Sequence, residues 1–85
     1  DLVFRDVPAR LAHLLLELSK TEGVPDGSGI RIRAKLTHQE MANLIGCSRE
    51  TVSATLGRFR EEGLLRMEGR SITIVDSHRL SQLVL

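Results

Sequence analysis

The stretch "GCSRETVSATLGRF", Gly46 to Phe59, decides how the chain is read. Gly46 ends one helix and Ser48 caps another only two residues later. Two helices joined by so tight a turn cannot lie end to end, so they cross, which is a helix-turn-helix. The second helix is placed from about Arg49 to Glu62, with Gly63 as its terminator. Within it Val52, Leu56 and Phe59 recur at i, i+4 and i+7 and mark the buried side. At about 100° per residue the opposite arc holds Glu50, Ser53, Ala54, Gly57 and Glu61, with Arg49 at its N-terminal edge. Ordinary solvated helix faces carry Lys and Glu. This one is partly bare, and Gly57 in mid-helix costs about 1 kcal/mol relative to Ala.

Close approach of a second body accounts for that cost. The major groove of DNA admits a helix whose contact side chains are short. In such a groove Arg49 donates a bidentate pair to a guanine edge, and Glu50 accepts from a cytosine amino group or orients the arginine. Ser53 reaches a base, and Ala54 at most touches a thymine methyl. Phosphate contacts are expected from Thr37, His38 and Gln39 at the free N–H end of the first helix of the pair. Ser48 and Thr51 do the same at the second helix, although capping hydroxyls serve equally as local caps. Arg70, at a wing tip, is a further backbone or minor-groove contact. Arg31, Arg33, Arg58 and Arg60 read either as phosphate contacts or as solvated surface.

Working outward, Thr37 and Glu40 form a capping box with Leu36 and Met41 as its staple. Met41, Leu44 and Ile45 are expected to face inwards. Upstream, "DVPARLAHLLLELSKTEG" (residues 6–23) reads as a helix capped by Asp6, with Pro8 in its first turn and Gly23 at its end. Its apolar stripe is Leu11, Leu14, Leu15 and Leu18, and Leu16 lies off that stripe, as if facing a second contact surface. "VPDGSG" reads as a turn cluster, and "IRIRAKL" alternates like a strand with Arg31, Arg33 and Lys35 on its wet side. Downstream, "LLRMEGRSITIV" reads as a hairpin with Leu65, Met67, Ile72 and Ile74 inward and Glu68-Gly69-Arg70 at the tip. "DSHRLSQLVL" closes the chain as a short helix capped by Asp76 or Ser77, with Leu80, Leu83 and Val84 packed back. The expected fold class is α+β: a winged helix-turn-helix, with a helical core and a small antiparallel β-hairpin wing.

Composition narrows the function. Eighty-five residues support one domain with a modest core. Twelve basic and eleven acidic residues leave a net charge of +1, so any nucleic-acid contact depends on where the charges sit. Two Phe, with no Trp or Tyr, argue against a single-strand or RNA surface built on stacking. No run approaches the length of a membrane span, which fits a cytoplasmic protein. Cys47 has no partner for an internal disulfide, and one Cys with three scattered His gives no zinc pattern, so it reads as packing in the turn. No acid–base pair, metal cluster or phosphate loop appears. The reading is of a non-enzyme with no catalytic, cofactor-binding or metal-binding residue.

The run "LTHQEMANLIGCSRETVSATLGRFREEGLL" (residues 36–65), followed by "GRSITI" and preceded by "RLAHLLLELSK", resembles the C-terminal DNA-binding domain of the CRP/FNR family of bacterial transcription regulators. The resemblance implies Arg49 and Glu50 as main base readers, Ser53 at a third reading position, and phosphate contacts by Thr37, His38, Gln39, Ser48 and Thr51. It implies a homodimer on palindromic double-stranded DNA. It also implies an N-terminal effector-sensing domain and a long dimerisation helix outside this chain. Residues 1–5 are then a remnant of that helix or a linker, and residues 6–85 the DNA-binding domain. Regulation of the parent by a cyclic nucleotide or another small effector is implied too, as is contact with RNA polymerase when activating. Ala54 stands where the family usually has a second arginine, which shortens the readout, and His38 replaces a commonly basic residue. A winged-helix protein-interaction module is the alternative. It suits the near-neutral charge but not the bare Ala54 and Gly57 surface beside Arg49 and Glu50.

Overall fold

Val7, Leu11, Ala12 and Leu15 form one buried face of helix α1 (Val7–Glu22), the floor against which the other elements pack. The structure is a computed structural model that describes residues 6–84; the expected helix remnant or linker at 1–5 lies outside the described residues. Pro8 sits in the first turn of α1, as its fixed φ favours. Asp6 occupies the cap position but its side chain makes no capping hydrogen bond. Its backbone (φ −95°, ψ 2°) is not in the extended region from which a side chain reaches back over the first free N–H groups. Leu14, Leu16 and Leu18 pack only partly, at the margin of the core.

Two short strands follow, β1 (Gly23–Asp26) and β2 (Gly29–Ile32), paired antiparallel around Gly27-Ser28. Most of the expected turn cluster is therefore strand, and the expected strand at 30–36 stops at Ile32. Its pairing explains the early stop. Ile32 lies opposite Gly23 on one side, where the chain leaves α1, and opposite Ile72 on the other, one residue short of the end of its partner strand. Just beyond Ile32, the Arg33 N–H turns to the Glu22 carbonyl at the end of α1, at 2.7 Å, instead of continuing the ladder.

Helix α2 (His38–Ile45) starts with the complete capping box. Thr37 Oγ1 accepts from the Glu40 N–H at 3.0 Å, and a Glu40 carboxylate oxygen accepts from the Thr37 N–H at 2.7 Å. Gly46 ends the helix in the left-handed region (φ 79°), with its N–H bonded to the Ala42 carbonyl at 2.8 Å. Helix α3 (Arg49–Glu61) follows after Cys47 and Ser48. Met41, Ala42 and Ile45 of α2 and Val52, Leu56 and Phe59 of α3 are buried in one core. Leu44 is not: it is 63% exposed, contrary to expectation. On a helix it falls roughly 110° from the centre of the Met41–Ala42–Ile45 face at 100° per residue.

Strands β3 (Leu65–Glu68) and β4 (Ser71–Ile74) form the expected hairpin, turning at Gly69-Arg70 with Gly69 at φ 60°. The wing is larger than a hairpin, because β4 also pairs with β2 to give an antiparallel sheet in the order β1-β2-β4-β3. The rows Ile30–Ile74–Leu65 and Ile32–Ile72–Met67 share one face of it. A short helix α4 (Ser77–Ser81) closes the domain, with Asp76 Oδ1 accepting from the Arg79 N–H at 3.0 Å. Leu80 is buried and Val84 packs partly, while Leu83 remains 37% exposed instead of packing back. Among the described residues this is a winged helix-turn-helix of the α+β class with four helices and four strands. No described helix is long and apolar enough to cross a membrane.

Candidate nucleic-acid interface

The outer side of α3 carries the features singled out in the sequence. Arg49 and Glu50, in its first turn, are exposed and lie side by side, with Nη2 to Oε2 at 3.3 Å. An ion pair this wet is weak, so exchanging it for base edges costs little. Ala54 is exposed. A Cβ built on Gly57 meets nothing within 4 Å, so no neighbour within the fold requires a glycine there. The bareness of this face has no cause inside the molecule.

The opposite side holds Val52, Leu56 and Phe59 as expected, and also Thr55, which the sequence reading left out. Its hydroxyl is satisfied locally by donating to the Thr51 carbonyl at 2.8 Å. Its position three residues after Val52 was the available signal.

The residues expected to touch phosphate line the approach to this face with their local bonds already made. Ser48 Oγ accepts from the Thr51 N–H at 3.1 Å and lies 2.8 Å from Thr51 Oγ1. Thr37 is held in the capping box, and Gln39 donates to the Asn43 amide oxygen at 2.9 Å. A hydroxyl or amide so placed keeps further donor or acceptor capacity, so none of these bonds removes it from a contact. His38 is different. Its Nδ1 lies 2.6 Å from Ser53 Oγ, so a residue assigned to phosphate and a residue assigned to a base form one pair. Spacing along the chain carries no sign of that pair, because it depends on how two helices cross.

Charge is unevenly committed. Arg31 and Arg66 share the carboxylate of Asp26, at 3.7 and 3.2 Å. Arg33 faces Glu22 at 3.7 Å and Arg58 faces Glu62 at 3.8 Å. Among the described residues no acid pairs with Arg60 in α3, with Arg70 at the wing tip or with Lys35. Glu61 of α3 and Glu68 of the wing are likewise outside any ion pair among the described residues, so these two arginines are available without either element being strongly basic. Cys47 is half-buried and packs against the core, as expected of the turn.

One positioning residue escaped the sequence reading. Arg10 of α1 donates through Nε to the Ile45 carbonyl at 2.9 Å, and through Nη2 as well, closing the C-terminal end of α2. Its partner is a backbone atom 35 residues away, which no local pattern announces.

Residues 9–83 match the family model of the Crp-like helix-turn-helix domain. The chain is 45% identical over 82 residues to the CRP-like cAMP-activated global transcriptional regulator of Mycobacterium tuberculosis, covering 96% of the chain and 37% of that protein. It is 42% identical over 81 residues to the global nitrogen regulator of a Synechocystis species, covering 95% of the chain and 36% of the relative. Among solved structures it is similar to the CO-dependent transcription factor CooA of Carboxydothermus hydrogenoformans, with TM-score 0.87 and 32% identity over 99% of this chain and 39% of that one. A CRP/FNR family regulator of Thermus thermophilus gives TM-score 0.81 and 32% identity over 92% of this chain and 40% of that one. The chain therefore spans less than two fifths of the length of these two curated relatives.

Proposed function

The chain belongs to the Crp-like helix-turn-helix family, and on that premise we propose that it is the DNA-reading domain of a dimeric, effector-regulated bacterial transcription regulator. Helix α3 enters the major groove. Arg49 donates to a guanine edge, Glu50 accepts from a cytosine amino group, Ser53 takes the third reading position, and Ala54 offers only a methyl. Thr37, Gln39, Ser48 and Thr51 approach phosphates from the two helix N-termini, and Arg70 does so from the wing, while His38 faces Ser53 of α3. The observation that carries this reading is the bare outer side of α3, where Gly57 has open space around it. A helix gains nothing from such a residue unless another body comes close.

Further support comes from the distribution of apolar residues. Among the described residues the large exposed ones are Leu44, Val75 and Leu83, none of them on α3, so this face does not suit an apolar protein partner. Relatives named for cAMP and for CO differ in effector while matching this chain, which supports an effector site outside it. For the parent of this chain a cyclic nucleotide or another small effector is the proposed ligand, and the cytoplasm the proposed location. Dimerisation through the region outside the chain would set two copies on a palindrome with half-sites about 34 Å, one helical turn, apart. Contact with RNA polymerase completes the proposal for the activating state.

Selection of duplexes from a random pool by the intact regulator, with and without candidate effectors, tests it. Recovery of a two-fold symmetric sequence is the expected result. A pool that emerges without sequence preference under every condition would overturn the proposal.

A further inference from the structure

His38 opens α2 and Ser53 lies in the second turn of α3, and both are half-buried. Among the described residues their 2.6 Å contact is the one side-chain hydrogen bond that joins the two helices of the pair. A serine within a helix ordinarily rotates among staggered wells or bonds back to the carbonyl four residues earlier. Ser53 does neither, because its hydroxyl is engaged by the imidazole. A hydroxyl has one hydrogen to give and two lone pairs to offer, so committing one of them to Nδ1 orients the remainder. The next residue, Ala54, has no polar group, so discrimination on α3 immediately past Glu50 depends on how Ser53 is held.

We infer that His38 is a positioning residue for sequence readout: acting through Ser53, it holds the serine hydroxyl in one orientation and so sets which base edge the third reading position accepts. This rests on the DNA-reading function proposed above, and it differs from a direct phosphate contact by His38. A phosphate contact raises affinity for every duplex. Orientation of Ser53 raises only the preference at one base pair.

A double-mutant cycle in the intact regulator separates the two. Affinities are measured for the selected operator and for duplexes in which each base pair of the half-site is replaced in turn, across a salt series. His38→Ala and Ser53→Ala are each expected to lower the preference at the same base pair by roughly 3- to 10-fold, the worth of one hydrogen bond of ordinary strength. The double variant is expected to lose no more than Ser53→Ala alone. His38→Asn is expected to keep most of the preference, since its amide places a polar atom where Nδ1 stands. Ratios of affinity within one variant are unaffected by any fraction that fails to fold. If His38→Ala instead weakens all duplexes alike, lowers the salt slope by about one and adds to Ser53→Ala, then His38 is a phosphate contact and the inference falls while DNA reading stands. If the wild-type regulator shows no preference among duplexes, the reading function fails and the inference with it.

Discussion

Arg49 is the residue on which sequence preference is expected to depend most. Replacing it by Ala should remove a bidentate guanine contact and about 1–3 kcal/mol of discrimination. Competition between the selected operator and random duplex measures this, and an unchanged ratio would refute the readout. Gly57 offers a test of opposite sign. With open space at its Cβ, Gly57→Ala should stabilise the fold by up to about 1 kcal/mol, seen as a higher thermal midpoint. The same methyl should weaken operator binding by intruding on the contact. A variant that gained in both would leave the missing side chain without a function. At this scale the sequence was legible wherever a face of one helix decides the matter: Val52, Leu56 and Phe59 are buried, and Arg49, Glu50 and Ala54 are exposed. It was illegible where two elements meet, as in the His38–Ser53 pair and the Arg10 bond to Ile45. Those contacts depend on distances between segments that share no local pattern.

Helix ends were readable because caps are local chemistry. The Thr37–Glu40 box stands as its four-residue pattern says it should, and so does the left-handed Gly46. Thr37→Ala should therefore cost about 1 kcal/mol, measurable by denaturant unfolding, since it strands an N–H of the first turn. An unchanged midpoint would mean that α2 is held by packing alone. Strand ends were harder to read. The stretch after Ile30 has the right alternation to continue, yet it ends at Ile32, after which the Arg33 N–H bonds the Glu22 carbonyl at the end of α1. Alternation describes which way side chains point, whereas strand length belongs to the neighbours. Leu44 and Leu83 show the same limit for helices. Leu44 is apolar but lies on the far side of its helix from the core, and Leu83 lies beyond the end of α4.

For the molecule as a whole, composition gave a net charge of +1, and the fold decides what that number means. Asp26, Glu22 and Glu62 occupy four arginines, while Arg60 and Arg70 stay uncommitted. Arg70→Ala should accordingly weaken binding by the same factor for every duplex and lower the salt slope by about one, leaving sequence preference intact. A change in preference instead would place Arg70 among the readers. The four helices and the wing hairpin were legible in outline, but the β1–β2 hairpin and its joining to the wing in a single sheet were not, because β2 and β4 lie some forty residues apart in the chain.

The bond from Arg10 to the end of α2 gives this arrangement a mechanical character. A long side chain from the flank of α1 grips the last carbonyl of α2, and a short joint leads from there into α3. The bond thus links α1 to the start of α3 by a route shorter than the irregular segment 33–37. A bond of this kind ties the flank of α1 to the joint that leads into α3, so a variant lacking Arg10 should loosen the angle between α2 and α3 before it touches the core.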